Sequence, residues 1–340
     1  MTGLFHKINR SIVAATTLVA AALGLGSCSL VTDDLDPCPQ GVRLRFVYDY
    51  NMEFANAFPA QVDCLTLLVY DEAGNYVRTI TETSSVLADE NWRMTIDLPA
   101  GQKYRFVAYG GLECDKSSFH FVDTPAVGSK LTSLEVAMDD NCIDADPGVD
   151  LHPLFYGNLD LAVPANSMNY TEGTVYMLRD TNSIRIILQN VDGTPVNPDD
   201  FVFEIEADNT LMGWNNDVIP TPAGITYSPW VVDQKTIGSA DNGDLSAVAY
   251  AEFSVARFID NAPVTLNVTG LKFNQKVLSI PLIKYLLLFK SDNIKTMDNQ
   301  EYLDRENHWD IILFINGERW IDTYIVINDW IVRINNADLL

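Results

Sequence analysis

Trp309-Asp310-Ile311-Ile312-Leu313-Phe314-Ile315, followed at once by Asn316-Gly317, is the most regular stretch of the chain. Its apolar side chains alternate, the signature of a strand with one face on a core. Asn-Gly is the strongest two-residue hairpin signal, because a type I′ turn needs positive φ at both central positions. The returning arm, residues 318–334, is roughly 17 residues long against a usual five or six. Trp320, Tyr324, Val326, Trp330 and Val332 fall on one of its faces, and Ile321, Ile325, Ile327 and Ile331 on the other. A strand apolar on both faces is expected to be covered on both. Its last stretch, carrying Trp330, Val332 and Ile334, outruns the hairpin partner. Either it turns a corner and completes its own sheet, or it docks in a groove of another subunit as an added strand.

The same grammar recurs upstream. Val42-Arg43-Leu44-Arg45-Phe46-Val47-Tyr48 places its apolar residues at period two, with two arginines on the other face. Residues 64–70 are apolar on both faces and turn through Asp71-Glu72-Ala73-Gly74-Asn75 into residues 76–80. Residues 94–98 and 102–109 read as a hairpin around Pro99-Ala100-Gly101. Residues 131–138 and 159–163 add two strands, and Pro164-Ala165-Asn166-Ser167 reads as a domain boundary. A second series follows over 174–178, 183–189, 201–207, 247–256 and 264–269. Short strands with turns every 8–12 residues or so predict antiparallel β-sandwiches. The expectation is an all-β chain of two tandem antiparallel β-sandwich domains, residues 41–166 and 170–340, with a short helix in the second. That helix is predicted from Ser279 as cap, Pro281 in the first turn, and Leu282, Tyr285, Leu286 and Phe289 on one face. Residues 208–244, rich in Asn, Asp, Gly and Pro, read as a long irregular excursion carrying Trp214 and Trp230.

The start of the chain has another plan. Lys7 and Arg10 precede an uncharged apolar run over residues 12–25, shorter than the ~20 residues a membrane-spanning helix needs. Leu25-Gly26-Ser27-Cys28 closes it. This is a secretory leader over residues 1–27 whose cut falls before a cysteine, as in the lipobox of bacterial lipoproteins. Leu25, Gly26 and Ser27 are then the signal-peptidase recognition residues, and Cys28 carries acyl chains that hold the protein on the outer membrane. Residues 28–40, with three aspartates and two prolines, form an acidic tether. An acidic run so soon after the cysteine is also consistent with export to the cell surface.

Removing the leader leaves 313 of the 340 residues, which suits two domains of about 150 each. Hydrophobic content of 47% is that of a folded chain. The formal charge is -24, and a surface this acidic repels nucleic acid, so no nucleic-acid partner is expected. Cys38, Cys64, Cys114 and Cys142 remain after lipidation and allow three pairings, among which spacing does not choose. Five aspartates within residues 139–150 invite a calcium reading, but the spacing is not that of a calcium loop, and a solvated acidic loop is expected. No metal site or cofactor is expected. G-x-S-x-G, H-E-x-x-H and phosphate-binding glycine loops are absent from the sequence. His120, His152 and His308 lie far apart, so no catalytic residue is assigned and no enzyme is expected.

Motifs along nearly the whole chain resemble the FimB-type fimbrial anchor and tip lipoproteins of Bacteroidetes. They are Leu35-Asp36-Pro37-Cys38-Pro39, residues 42–51, residues 62–71 and His152-Pro153-Leu154-Phe155-Tyr156-Gly157. Leu178-Arg179-Asp180-Thr181-Asn182-Ser183-Ile184-Arg185, residues 280–288, and Gln300-Glu301-Tyr302-Leu303-Asp304-Arg305-Glu306 follow. The last runs from Gly317-Glu318-Arg319-Trp320 to Trp330. The resemblance implies two transthyretin-like sandwiches that terminate or seat a fimbrium, with shaft pilins or other pilus subunits as partners. It also implies that related shaft pilins are cut after their first strand by a trypsin-like protease, which opens a groove for a neighbour's C-terminal strand. This sequence has no Lys or Arg between Arg45 and Arg78, so its first strand is expected to stay, and its C-terminal arm to be donated. A tip adhesin of the same pilus type is the near alternative. A surface glycan-binding lipoprotein using Trp92, Trp214 or Trp230 as stacking platforms is the more distant one.

Overall fold

β1 (Gly41–Val47) is paired on both sides, antiparallel with β4 (Met94–Asp97) and parallel with β9 (Thr171–Arg179). The computed structural model describes residues 40–166, 169–222, 224–237, 246–288, 290, 294–316, 319–327 and 330–332. Val42, Leu44 and Phe46 are buried, as the alternation predicts. Gly41 opens the strand at φ 134°, and a Cβ there would stand 1.9 Å from the Ile96 carbonyl oxygen, so only glycine lets β4 close on β1.

Around this strand lie β2 (Leu65–Asp71), led in by the one-turn helix α1 (Phe58–Gln61), with β3 (Tyr76–Glu82), β5 (Gln102–Gly110) and β8 (Phe155–Val163). The strands form a seven-stranded sheet in the order β3-β2-β5-β8-β9-β1-β4. The hairpin expected at Pro99-Ala100-Gly101 is not one: β4 and β5 follow each other in sequence but stand four places apart in the sheet. Four spacings of about 4.8 Å exceed what so short a connection covers in a flat sheet, so the sheet curls over itself. Val42, Leu44 and Phe46 of β1 thus share one core with Leu65, Leu67 and Val69 of β2 and with Tyr104, Phe106 and Ala108 of β5. The opposite faces of β2 and β5, with Leu68, Tyr70, Val107 and Tyr109, belong to a second core that continues into the C-terminal half. The both-sided apolar pattern of residues 64–70 reports that double burial.

The second half is a sheet-on-sheet layer. One sheet orders β14 (Val231–Ile237), β15 (Ser246–Ala256), β10 (Thr181–Asn190), β18 (His308–Asn316), β19 (Arg319–Ile327) and β20 (Trp330–Val332). The other orders β13 (Ile225–Tyr227), β11 (Phe201–Ala207), β16 (Thr265–Gly270) and β17 (Gln275–Pro281). Ile184, Ile186, Phe253, Trp309, Ile311 and Leu313 from the first meet Phe203, Ile205, Leu266, Val268 and Ile280 from the second. A small sheet joins β6 (Phe119–Phe121) and β7 (Glu135–Met138) to β12 (Leu211–Gly213), so the excursion at 208–244 supplies a strand to the N-terminal half.

The all-β class holds, with several departures in detail. The pairs β1·β9 and β10·β18 are parallel, so the sheets are mixed rather than antiparallel throughout. β9, assigned from sequence to the second domain, lies in the first sheet as the antiparallel neighbour of β8. The chain passes from one half to the other at Asp180, between β9 and β10. Ser279 is in β17, not a helix cap: its hydroxyl donates to Asn267 Oδ1 at 2.8 Å, and the helix α2 (Leu282–Leu287) starts after Pro281. Leu282, Tyr285 and Leu286 are buried as its face predicts, while Phe289 lies outside the described residues. A further helix, α3 (Asn299–Arg305), is capped by the Asp298 carboxylate, which accepts from the Gln300 amide at 2.9 Å.

The long returning arm is also not one strand. β19 ends at Ile327, and β20 folds back on it, with Ile325 opposite Val332 and Ile327 opposite Trp330. A single arm of that length would outrun the nine-residue β18 and leave backbone donors and acceptors without partners.

Candidate functional site

The segment leaving the first strand is tied to the segment that precedes β18. Tyr48, just past β1, is fully buried, and its hydroxyl accepts from Asn307 Nδ2 at 2.7 Å. Asn307 stands between α3 and β18. Two residues before it, the Arg305 guanidinium lies over the rings of Tyr50 and Phe54, 4.0 Å and 4.7 Å from their centroids. The same group donates to the carbonyls of Asp49 and Asn51 at 3.4 Å and 3.5 Å and is held by Glu301 at 2.8 Å. The segment leaving β1 is thus fastened to the segment that delivers β18. β1 itself is occupied along both edges over Val42 to Leu44, so this sheet has no vacancy for a foreign strand there.

At the other end, Trp330 and Val332 lie in β20, the edge strand of the six-stranded sheet. It makes three residue pairs with β19, and its outer edge faces no strand among those described. Ile334 lies outside the described residues, as do Leu25, Gly26, Ser27, Cys28 and the tether.

Where the halves meet there is a buried polar knot. Asp180 is fully buried; its backbone N–H donates to the Leu154 carbonyl at 2.7 Å, and Oδ1 accepts from Asn216 Nδ2 at 2.8 Å. Arg257 Nε lies 3.7 Å from Asp180 Oδ1 and binds Asp304 through two bonds of 2.8 Å and 2.7 Å. Gln300 Nε2 donates to Asp304 at 3.0 Å and to the Phe258 carbonyl at 2.9 Å. Burial raises the Asp180 carboxyl to about 7, outweighing the pull of Arg257 and Asn216. For Arg257, burial works against the charged form, but the Asp304 bonds and the Asp180 charge win, and its pKa rises. Two motifs quoted from the sequence, those around Asp180 and Asp304, therefore meet at one point 124 residues apart in number. Asn182 of the first also accepts from Trp309 Nε1 at 3.1 Å.

The remaining candidates disperse. Trp92 packs on the first core and stacks with Phe46 at 6.0 Å. Trp214 is half-buried under the Arg105 guanidinium, 5.7 Å away, and its carbonyl accepts from Tyr156 at 3.0 Å. Trp230 is the more open of the three, 37% exposed. In the acidic loop, Asp139 faces His120 Nδ1 at 2.7 Å, and Asp144 accepts from the Thr226 amide at 2.7 Å. These carboxylates diverge into separate contacts instead of converging on one centre. Cys64 is bonded to Cys114, one of the pairings the spacing left open; Cys142 is a free, buried thiol, and Cys38 lies outside the described residues. His152 Nε2 is 3.0 Å from Asp63 Oδ1, beside that disulfide. Among the described residues, no helix is long and apolar enough to cross a membrane.

Residues 35–336 match the family of fimbrillin-A associated anchor proteins Mfa1 and Mfa2. A candidate adhesin of Bacteroides thetaiotaomicron VPI-5482 is 49% identical, with a TM-score of 0.83 over 89% of this chain and 100% of that one. A candidate polysaccharide-binding protein of the same strain is 29% identical, with a TM-score of 0.74 over 87% of this chain and 98% of that one. The fimbrial anchor protein Mfa2 of Porphyromonas gingivalis shares the fold at 16% identity, with a TM-score of 0.66 over 88% of this chain and 100% of that one. No curated protein matches.

Proposed function

The chain belongs to the family of fimbrillin-A associated anchor proteins, and from that premise we propose that this fimbrial accessory subunit is the lipid-linked outer-membrane anchor that seats a fimbrium. Cys28 carries the lipid, and residues 28–40 span the gap to β1. The observation that supports an anchor most is the fastening of β1 within its sheet. The strand is paired on both edges, sealed over by Gly41, and bolted at its exit by Tyr48 and Arg305. No Lys or Arg follows Arg45 until Arg78, so a trypsin-like cut has no target in the stretch leaving the strand. A subunit that keeps its first strand has no groove to receive a neighbour's, and its contribution to assembly is to donate.

The donated element is the C-terminal segment from Trp330 through Val332 to Ile334. Among the described residues β20 holds its own sheet by three pairs, and so short an edge strand is released at small cost to pair instead in a neighbour's groove. The work is mechanical and involves no turnover. Cells producing the chain ended at Asp329 are expected to carry it at the surface without fimbriae attached to it. Fimbriae still seated on the truncated protein sink the donation step.

A surface glycan-binding role is the second reading. It draws on the relative described as polysaccharide-binding and on the exposed ring of Trp230. A glycan array in which the chain binds and Trp230→Ala does not would favour it.

A further inference from the structure

The Cys64–Cys114 bond joins the start of β2 to the loop after β5, with the two Cα atoms 6.3 Å apart. Asp63 precedes the first cysteine, and His152 sits on the segment entering β8. The sulfurs, a ring nitrogen and a carboxylate oxygen of these four residues all lie within 4.8 Å of one another. We propose that Asp63, Cys64, Cys114 and His152 form a redox-gated metal site: a disulfide clamp when oxidised, and a four-ligand centre for a divalent cation of the zinc type when reduced.

The donor set decides the cation. Two thiolates, an imidazole and one carboxylate suit a borderline-soft ion that takes four ligands in a tetrahedron, and do not suit calcium or magnesium, which take oxygen. Bonds of about 2.3 Å to sulfur and 2.0–2.2 Å to nitrogen and oxygen set neighbouring ligand atoms of such a centre roughly 3.3–3.8 Å apart. The His152 nitrogen and the Asp63 oxygen already meet at 3.0 Å, so the chief movement is the parting of the two sulfurs by side-chain rotation. The imidazole is pre-positioned. Its backbone N–H donates to the Ser118 hydroxyl at 2.9 Å. Gly111, at φ 80°, lets the chain after β5 press against it: a Cβ there would lie 2.0 Å from the Pro153 carbonyl oxygen and 3.3 Å from His152 Cδ2. Cys64 is buried, Cys114 and His152 are half-buried and Asp63 is exposed, which gives reductant and cation one open side.

The exchange balances with a dithiol reductant. One of its thiolates attacks a sulfur of the bridge, and the mixed disulfide is resolved by its second thiol. The reductant leaves as its own disulfide, and Cys64 and Cys114 are left as thiols. Cation binding then releases two thiol protons to solvent. In either state the three segments stay clasped, by a covalent bond in one and by coordination in the other. Sequence spacing could not show this cluster, because its members come from three separate connections.

Cobalt(II) is the probe, added to the purified chain carrying Cys28→Ser, Cys38→Ser and Cys142→Ser, so that two cysteines remain. After reduction and removal of the reductant, one cobalt per chain is expected, with a thiolate-to-metal absorption band and the strong visible bands of tetrahedral cobalt. The oxidised chain is expected to show neither. Asp63→Ala and His152→Gln, the latter close in size to the original, are each expected to weaken binding more than about tenfold. Both variants keep the disulfide when oxidised, so their folding is checked in that state by circular dichroism. A reduced chain without the thiolate band, or one whose cobalt affinity ignores His152 and Asp63, overturns the proposal.

Discussion

Tyr48 and Asn307 are joined by a 2.7 Å hydrogen bond across 259 residues of sequence, so the exit of the first strand is bonded to the entrance of β18. The contact is fully buried at Tyr48, whose ring also meets Phe155 edge-on at 5.1 Å. Tyr48→Phe keeps the ring and strands the Asn307 donor. The expected cost is about 1–3 kcal/mol, that of a buried polar group left without a partner. Urea unfolding of the purified chain measures it; a loss below about 0.5 kcal/mol would mean that water replaces the hydroxyl.

Asp180 ties stability to pH in an unusual direction. Its carboxyl titrates at about 7 in the folded chain, because burial outweighs Arg257 and Asn216. In the unfolded chain an aspartate titrates near 3.9. Between those values the folded state holds a proton that the unfolded state has lost, so this group's contribution is fullest at low pH. It falls away as pH rises to about 7 and is level above that. Asp180→Asn removes the effect. Calorimetry at pH 5 and pH 8 is expected to show the melting temperature of the variant, relative to the parent, rising between the two. A constant difference would show that Asp180 titrates as an ordinary carboxylate.

Arg305 holds residues 49–54 by its shape as much as by its charge. It stacks on two rings and reaches two carbonyls, which a flat guanidinium can do and an ammonium cannot. Arg305→Ala is expected to speed amide hydrogen exchange over residues 49–55, and Arg305→Lys to leave it nearly as fast. Full protection in the lysine variant would reduce the role of Arg305 to that of a point charge.

Cys28 is expected to be the first residue of the mature chain and to carry a thioether-linked diacylglyceryl group. Mass spectrometry of the N-terminal peptide from outer membranes reads this directly. Cys28→Ala should move the chain into the soluble fraction, and an unmodified thiol at residue 28 removes the lipid from the account.

What the residues announced and what they concealed divide along a physical line. Alternation in residues 42–48 and 309–315 fixed which side chains are buried, and apolarity on both faces of residues 64–70 announced double burial. Neither pattern names a neighbour. Pro99-Ala100-Gly101 reports that the chain reverses, and a reversal serves a passage between layers as well as a hairpin. β9 carries the same period as β8, so nothing local places it beside β1 instead of in the next sheet. Asn316-Gly317 marked the reversal but not its centre: Asn316 is the last residue of β18 and pairs with Arg319, so the link between the arms is one residue later than the signal placed it. The joining of Asp180, Arg257 and Asp304, and of Cys64 with Cys114, rests on contacts between distant segments that no spacing encodes.

The direction of β1 has a bearing on load. Tension applied to the chain ahead of Gly41 runs along the strand axis, and both flanking ladders lie across that pull. Their hydrogen bonds must then yield together in shear rather than open one after another like a zip. Resistance to traction is governed by the rate of forced rupture, not by equilibrium stability. On the proposed attachment through Cys28, β1 is the first element of the fold to take up such a load.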